Sequence, residues 1–307
     1  MTGQEEAGRD HPEIICCEVA FYPMIRPKGN REPLPSPARY LGQHFLTDDR
    51  IAQRIVDSLP PELLGSTPTL EIGPGRMILT RHLARRSPRL ILVEKDERLI
   101  PHLEESLREF GEKIEIRRGD ALEEALVVEG SPYLVISNLP YNISVPLLLK
   151  IIGGTPPPLM AVLMFQKEVA ERITAPPGSK DYGSLSVAAR LLSTPRHLFD
   201  IRPGSFNPPP KVQSSVLSFV PAETRTAPSL PGAFHLARAA FAYRRKTLRN
   251  ALKQGLSPEI MEAVAPLIEA LPPGPDCRPE NLSPEDWLSL ARTLREHSPE
   301  IFAKIKG

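Results

Sequence analysis

The sequence has little cysteine, no long apolar run and no excess of either charge, and each shortage removes a class of protein. Of its three cysteines, Cys16 and Cys17 are adjacent and Cys277 is distant, so neither a zinc site nor a disulfide framework finds the spacing it needs. No metal is expected. No stretch reaches the roughly 18 uninterrupted apolar residues of a spanning helix, and the first residues lack the basic region, apolar core and cleavage site of a leader. A cytoplasmic protein without membrane contact is expected. With 38 Lys and Arg against 37 Asp and Glu, the formal net charge is +1, so any charge that binds nucleic acid must be local. A Gly-Lys-Ser/Thr phosphate loop is also missing, which argues against a nucleoside triphosphate as ligand.

Proline, by contrast, is abundant at 36 residues, concentrated in the first forty positions and in loops. Pro23, Pro27, Pro33, Pro35 and Pro37 interrupt any long helix or central strand, so residues 1–37 read as a disordered tail. Within it only the short apolar run Ile14 to Met24 could be an edge strand or contact segment. From residue 38 to 221 the pattern is regular. Ile51, Ile55, Val56 and Leu59 recur at helical spacing before Pro60 and Pro61. Apolar strands are predicted at 69–72, 90–93, 114–117, 133–137 and 159–165, with helices to about Arg86 and from Asp96 to Phe110 between them. Strands alternating with helices imply parallel crossovers, hence an α/β, doubly wound, Rossmann-like sheet. Residues 222–307 lose the strand signal and predict a small helical domain, with helices at 234–243, 246–252, 258–270 and 284–297.

In a doubly wound sheet, ligands bind beyond the carboxyl ends of the strands. Gly73, Glu94, Asp120 and Asn138 all fall at those ends. The turn Glu71-Ile72-Gly73-Pro74-Gly75 joins a strand to a helix, where glycines let a ligand approach the backbone. Alone it also fits a simple tight turn. Glu94, about twenty residues on, suits a ribose hydroxyl pair, whether of a dinucleotide or of S-adenosylmethionine.

The choice between them comes from Asn138-Leu139-Pro140-Tyr141, which resembles the Asn/Asp-Pro-Pro-Tyr/Phe-like sequences of amino-methyltransferases. An adenine amino nitrogen is a poor nucleophile because its lone pair is delocalised into the ring. Acceptors that hold its hydrogens favour a pyramidal nitrogen, a task for Asn138 and the Leu139 carbonyl. Pro140 fixes the backbone and Tyr141 offers a stacking face. No dedicated general base is required.

Longer runs carry a more specific likeness. Leu41-Gly42-Gln43-His44-Phe45-Leu46, Asn138 to Ser144, Gln166 to Ala170, Gly178 to Gly183, Phe206 to Val212 and Phe241 to Leu248 resemble the bacterial small-subunit rRNA adenine dimethyltransferase family, from about Tyr40 onward. The resemblance implies S-adenosylmethionine as cofactor, held by Gln43, His44, Leu46, Gly73, Gly75, Glu94, Asp120 and Asn138. Glu94 would meet the ribose and Asp120 the adenine amino group. It implies catalysis by Asn138, Leu139, Pro140 and Tyr141, with Phe206 as a second stacking face for the extruded base. Arg244, Arg245, Lys246 and Arg249, read as one helical cluster, would hold RNA phosphates. For Phe206 the plain alternative is core packing, and for the basic cluster a solvated face.

The implied partner is 16S rRNA within the small ribosomal subunit or its precursor, and the expected state a monomer. Two residues depart from the family pattern: Met77 stands where another glycine is usual, and His44 where asparagine is frequent. His44 is accordingly given no catalytic role. Rival readings are a macrolide-resistance type 23S rRNA methyltransferase and a noncatalytic assembly or transcription factor that retains the fold.

Overall fold

The computed structural model describes residues 43–305. The expected tail of residues 1–37, with its apolar run and Cys16 and Cys17, lies outside the described residues. In chain order the elements are β1 (Phe45–Leu46), α1 (Asp49–Val56), α2 (Pro61–Ser66), β2 (Thr69–Ile72), α3 (Thr80–Arg86), β3 (Leu90–Glu94), α4 (Ile100–Leu107), β4 (Ile114–Arg118), β5 (Leu134–Asn138), α5 (Ser144–Gly153), β6 (Met160–Gln166), α6 (Lys167–Thr174), α7 (Ser184–Leu192), β7 (Ser193–Ile201), β8 (Phe206–Asn207) and β9 (Ser214–Pro221). The helices α8 (Leu230–Phe241), α9 (Leu248–Gly255), α10 (Pro258–Glu269), α11 (Pro284–His297) and α12 (Pro299–Phe302) follow.

Seven strands form one sheet in the order β4-β3-β2-β5-β6-β9-β7. The first five are parallel, and β9 runs antiparallel to both neighbours. The apolar runs of β2, β3 and β5 are buried almost without exception, as strands covered by helices on both faces must be. One sheet face packs on α1, α3 and α4 through Ile55, Leu83 and Leu103. The opposite face packs on α5 and α7, and its buried cluster continues into α8 to α11. The change from strands to helices near residue 221 is therefore a change of secondary structure across which burial is continuous. Trp287, fully buried on α11, anchors this side beside Phe241, which in turn meets Tyr182 edge-on.

Local chemistry explains where elements begin. Asp48 caps α1 by accepting from the amides of Arg50 and Ile51. Ser283 and Asp286 form a reciprocal capping box on α11, with Pro284 at its first position. Two helix expectations in the α/β part need correction, and the helix expected over 246–252 begins only at Leu248. The helix expected over 96–110 is shorter: α4 gives way to a 3-10 segment at Arg108–Lys113, where Gly111 takes φ +54°. The helix expected directly after Gly75 starts only at Thr80, because a turn occupies the intervening residues.

That turn holds Met77, the single non-glycine residue with positive φ among the described residues, at +63°. The left-handed conformation is why glycine suits this position. Met77 does not reach the ligand side of the turn. Its side chain is 1% exposed and packs in the cluster of α1, α3 and β3. Met77→Gly relieves about 1–2 kcal/mol of backbone strain but empties a core position whose truncation costs about 2–5 kcal/mol. The expected result is a net loss of stability in urea unfolding, with cofactor affinity by calorimetry changed less than about threefold. Cofactor binding strengthened tenfold or more would show that Met77 does obstruct the site.

Candidate active site

Backbone geometry builds the floor of the site. Beyond the carboxyl ends of β2, β3, β4 and β5 lies a cleft of about 250 Å³, lined by Gln43, His44, Gly73, Gly75, Glu94, Asp120 and the Asn138–Tyr141 loop, with Ile72, Val93, Ala121 and Leu147 as apolar wall. Gly73 has φ +65° and open space where a Cβ would stand. At Gly75, φ is +54° and a Cβ would come within 2.9 Å of the Phe45 ring. The two glycines thus serve different ends: Gly73 keeps backbone bare toward the cleft, and Gly75 lets the turn close against β1.

Glu94 is held by backbone. Its Oε2 accepts from the Gly75 amide at 3.1 Å and its Oε1 from the Asp96 amide at 2.8 Å. Burial nevertheless pushes its pKa up, against those amide hydrogen bonds. Asp120, at the end of β4, accepts from Lys95 Nζ at 2.5 Å and from the Leu122 amide at 2.9 Å, and the Lys95 contact holds its pKa below the usual range. Gln43 Nε2 donates to Asp96 Oδ2 at 3.0 Å, which ties the segment before β1 to the loop after Glu94. Asp96 is itself kept ionised by Arg98.

The Asn138–Tyr141 loop faces this floor. Ser137 Oγ donates to the Ile72 carbonyl at 2.6 Å and locks the end of β5 against β2. Asn138 Nδ2 donates to the His44 carbonyl at 3.1 Å. Because a carbonyl only accepts, the amide is oriented, and Oδ1 is left as the acceptor. Tyr141 donates to or accepts from Ser214 Oγ at 2.6 Å, and its ring stacks on that of His44 with centroids 5.5 Å apart. Leu46 is buried in β1, which pairs with β8 through Leu46 and Phe206; Phe45 of that strand lines the cleft, whereas Leu46 does not.

The remaining expected site residues lie elsewhere. Phe206 is 4% exposed and packed in the core, so it does not line the cleft. Arg244, Arg245 and Lys246 sit on the turn between α8 and α9 and are not part of a helix, which corrects the helical reading of the basic cluster. Arg244 pairs with Glu280 at 2.5 Å and also donates to the carbonyls of Lys180 and Ser179. Arg249 pairs with Glu269. Arg245 and Lys246 are exposed, Lys246 lying 5.7 Å from the Tyr243 ring centroid. Sequence reasoning missed Phe45, Lys95, Asp96, Gly119, Ser137 and Ser214. For Lys95 and Asp96 the signal was their place directly after Glu94; Ser214 carried none.

Bare glycine backbone, a buried carboxylate at the end of β3, a second at the end of β4 and an apolar wall between them fit an adenosyl group carrying an amino-acid chain. With an Asn-Leu-Pro-Tyr loop facing that floor, the class is that of S-adenosylmethionine-dependent methyltransferases acting on an amino nitrogen. The family described as "Ribosomal RNA adenine dimethylase" matches residues 38–294. The chain belongs to the ribosomal RNA adenine dimethylase family. It is 44% identical over 271 residues to ribosomal RNA small subunit methyltransferase A of Wolbachia pipientis subsp. Culex pipiens, covering 86% of this chain and 98% of that one. Identity to the protein of the same name from Geobacter metallireducens is 43%, covering 83% and 94%. Among solved structures it is similar to a dimethyladenosine transferase from Plasmodium falciparum (TM-score 0.70, 27% identity, 82% and 98% covered) and to the 23S rRNA methyltransferase ErmE (TM-score 0.61, 25% identity, 81% and 99% covered).

Proposed function

We propose that this chain dimethylates the N6 amino groups of two adjacent adenosines in the 3′-terminal hairpin loop of 16S rRNA, within the small subunit or its precursor. The observation that carries this is the opening of Asn138 and Tyr141 onto the same cleft as Glu94 and Asp120, and the small-subunit relatives supply the substrate class. S-adenosylmethionine supplies an electrophilic methyl group on a sulfonium. Glu94 would hold its ribose, Asp120 its adenine amino group, and the bare backbone at Gly73 its methionine end. Asn138 Oδ1 and the Leu139 carbonyl accept the amino hydrogens and hold N6 with its lone pair out of the ring plane. Tyr141 stacks on the extruded base. The displaced proton passes to water, since N6 becomes strongly acidic once alkylated and no base residue is needed.

A hairpin loop suits this site because unpaired bases leave their stack at low cost. The helical segment 222–307, with Arg245 and Lys246 exposed, is the part proposed to hold flanking phosphates. Offered purified small and large subunits lacking the modification, with labelled cofactor, the protein is expected to label small-subunit RNA alone, as N6,N6-dimethyladenosine at two neighbouring positions mapped by mass. Label confined to large-subunit RNA would favour the resistance-type activity. Cofactor binding with label in neither would favour a noncatalytic factor.

A further inference from the structure

Two hydrogen bonds and a ring stack converge on His44. Its ring stacks on Tyr141 at 5.5 Å between centroids and 27° between planes. Its Nδ1 lies 2.8 Å from the Pro208 carbonyl, and its own carbonyl receives Asn138 Nδ2 at 3.1 Å. A carbonyl accepts only, so Nδ1 carries a proton and the ring plane is fixed. Tyr141 is held at its other end by Ser214. The Tyr141 ring is therefore gripped at its hydroxyl and on one face, and it borders the cleft.

We propose that His44 is a positioning residue for base recognition: it backs one face of Tyr141, so that the target adenine stacks on the other face. This rests on the substrate reading above. A base cannot enter between the two rings, because a sandwich needs about twice the spacing of a stacked pair, and theirs is already that of a stacked pair. Phe206 is withdrawn into the core. The chain's second aromatic face at this loop is thus His44, on the far side of Tyr141 from the base. The tether to Pro208 also links His44, and through the stack Tyr141, to the segment between β8 and β9.

The experiment compares His44→Ala and His44→Phe with wild type on small subunits lacking the modification. In His44→Ala, KM for the subunit is expected to rise about tenfold, the scale of one aromatic stacking contact. His44 also borders the cofactor cleft, but the proposed contact acts through Tyr141, so the Kd for S-adenosylmethionine, measured by calorimetry, is expected to change several-fold less than KM for the subunit. His44→Phe keeps the stack, loses the Pro208 hydrogen bond, and is expected to restore KM to within about twofold. Phenylalanine as defective as alanine overturns the inference, because stacking would then not be what His44 supplies. So does an unchanged KM in His44→Ala, or an equal loss of cofactor binding. A wild type that labels no subunit overturns the substrate reading and the inference with it, whereas an active wild type isolates the role of His44.

Discussion

Replacing Asn138 by alanine is expected to lower the single-turnover methylation rate about 10²–10³-fold, the range found when one preorganised hydrogen-bonding group is removed from a reacting centre. The amide is preorganised here: its nitrogen is spent on the His44 carbonyl, so its oxygen need not choose between roles when substrate arrives. The fold should survive. Asn138 is half-buried at the end of β5, and Ser137 secures that strand end independently through the Ile72 carbonyl. The His44 carbonyl left behind lies in an open cleft where water replaces its donor. Single-turnover rates with saturating cofactor, beside a urea melt, measure both halves. A near-normal rate would remove Asn138 from the reaction.

The second large effect concerns stability. Glu71 lies on β2, 1% exposed, and burial raises its pKa from 4.5 to about 8, with Thr80 opposing and the charge of Glu94 adding. A raised carboxyl pKa means that the folded state keeps a proton the unfolded state has lost. Between pH 4.5 and about 8 the unfolded chain thus binds fewer protons, and stability falls as pH rises. The slope is about 1.4 kcal/mol per pH unit for one group. Stability from Glu71 is fully present below 4.5 and exhausted above about 8. Urea unfolding at pH 5, 6.5 and 8 should show the decline in wild type and lose most of it in Glu71→Gln. Parallel curves for the two proteins would mean that Glu71 is ionised in the fold.

Most of the parallel half of the sheet was legible in the sequence because β2, β3, β5 and β6 are almost wholly buried and therefore largely apolar, whereas β4, half-buried at the sheet edge, shows only Ile114 and Ile116. The predicted span at 69–72 coincides with β2, and those at 90–93 and 114–117 fall one residue short of β3 and β4. Neither β7 nor β9 was legible. β7 carries Pro195, exposed Arg196 and His197, and an irregularity in register between His197 and Phe199, all of which erase the alternation of a strand. β9 follows a proline-rich run that reads as loop. The same blindness touches the site. Gly73, Glu94, Asp120 and Asn138 announce themselves by falling at strand ends, but nothing local says that Phe206 turns inward or that Arg244 and Arg249 are met by Glu280 and Glu269. Those partners come from distant segments, and only the assembled chain brings them together. His44 is the converse. As one residue of a loop it looked like a substitution at a ligand position, and its stack on Tyr141 joins segments nearly a hundred positions apart that only the folded chain brings together.

Among the described residues β4 and β7 are the outermost strands of the sheet, and their chemistry bears on how the protein behaves in a crowded solution. An unpaired strand edge is a template on which another chain can add itself, and long apolar edges are where aggregation starts. Here β4 presents Glu115, Arg117 and Arg118, engaged with Arg89 and Glu104, and β7 presents a proline, an arginine and a histidine on a bent strand. Each edge sets charge or a missing amide hydrogen against an incoming strand. Both edges that the described strands form are thus poor partners for an incoming strand, which works against growth into a larger sheet.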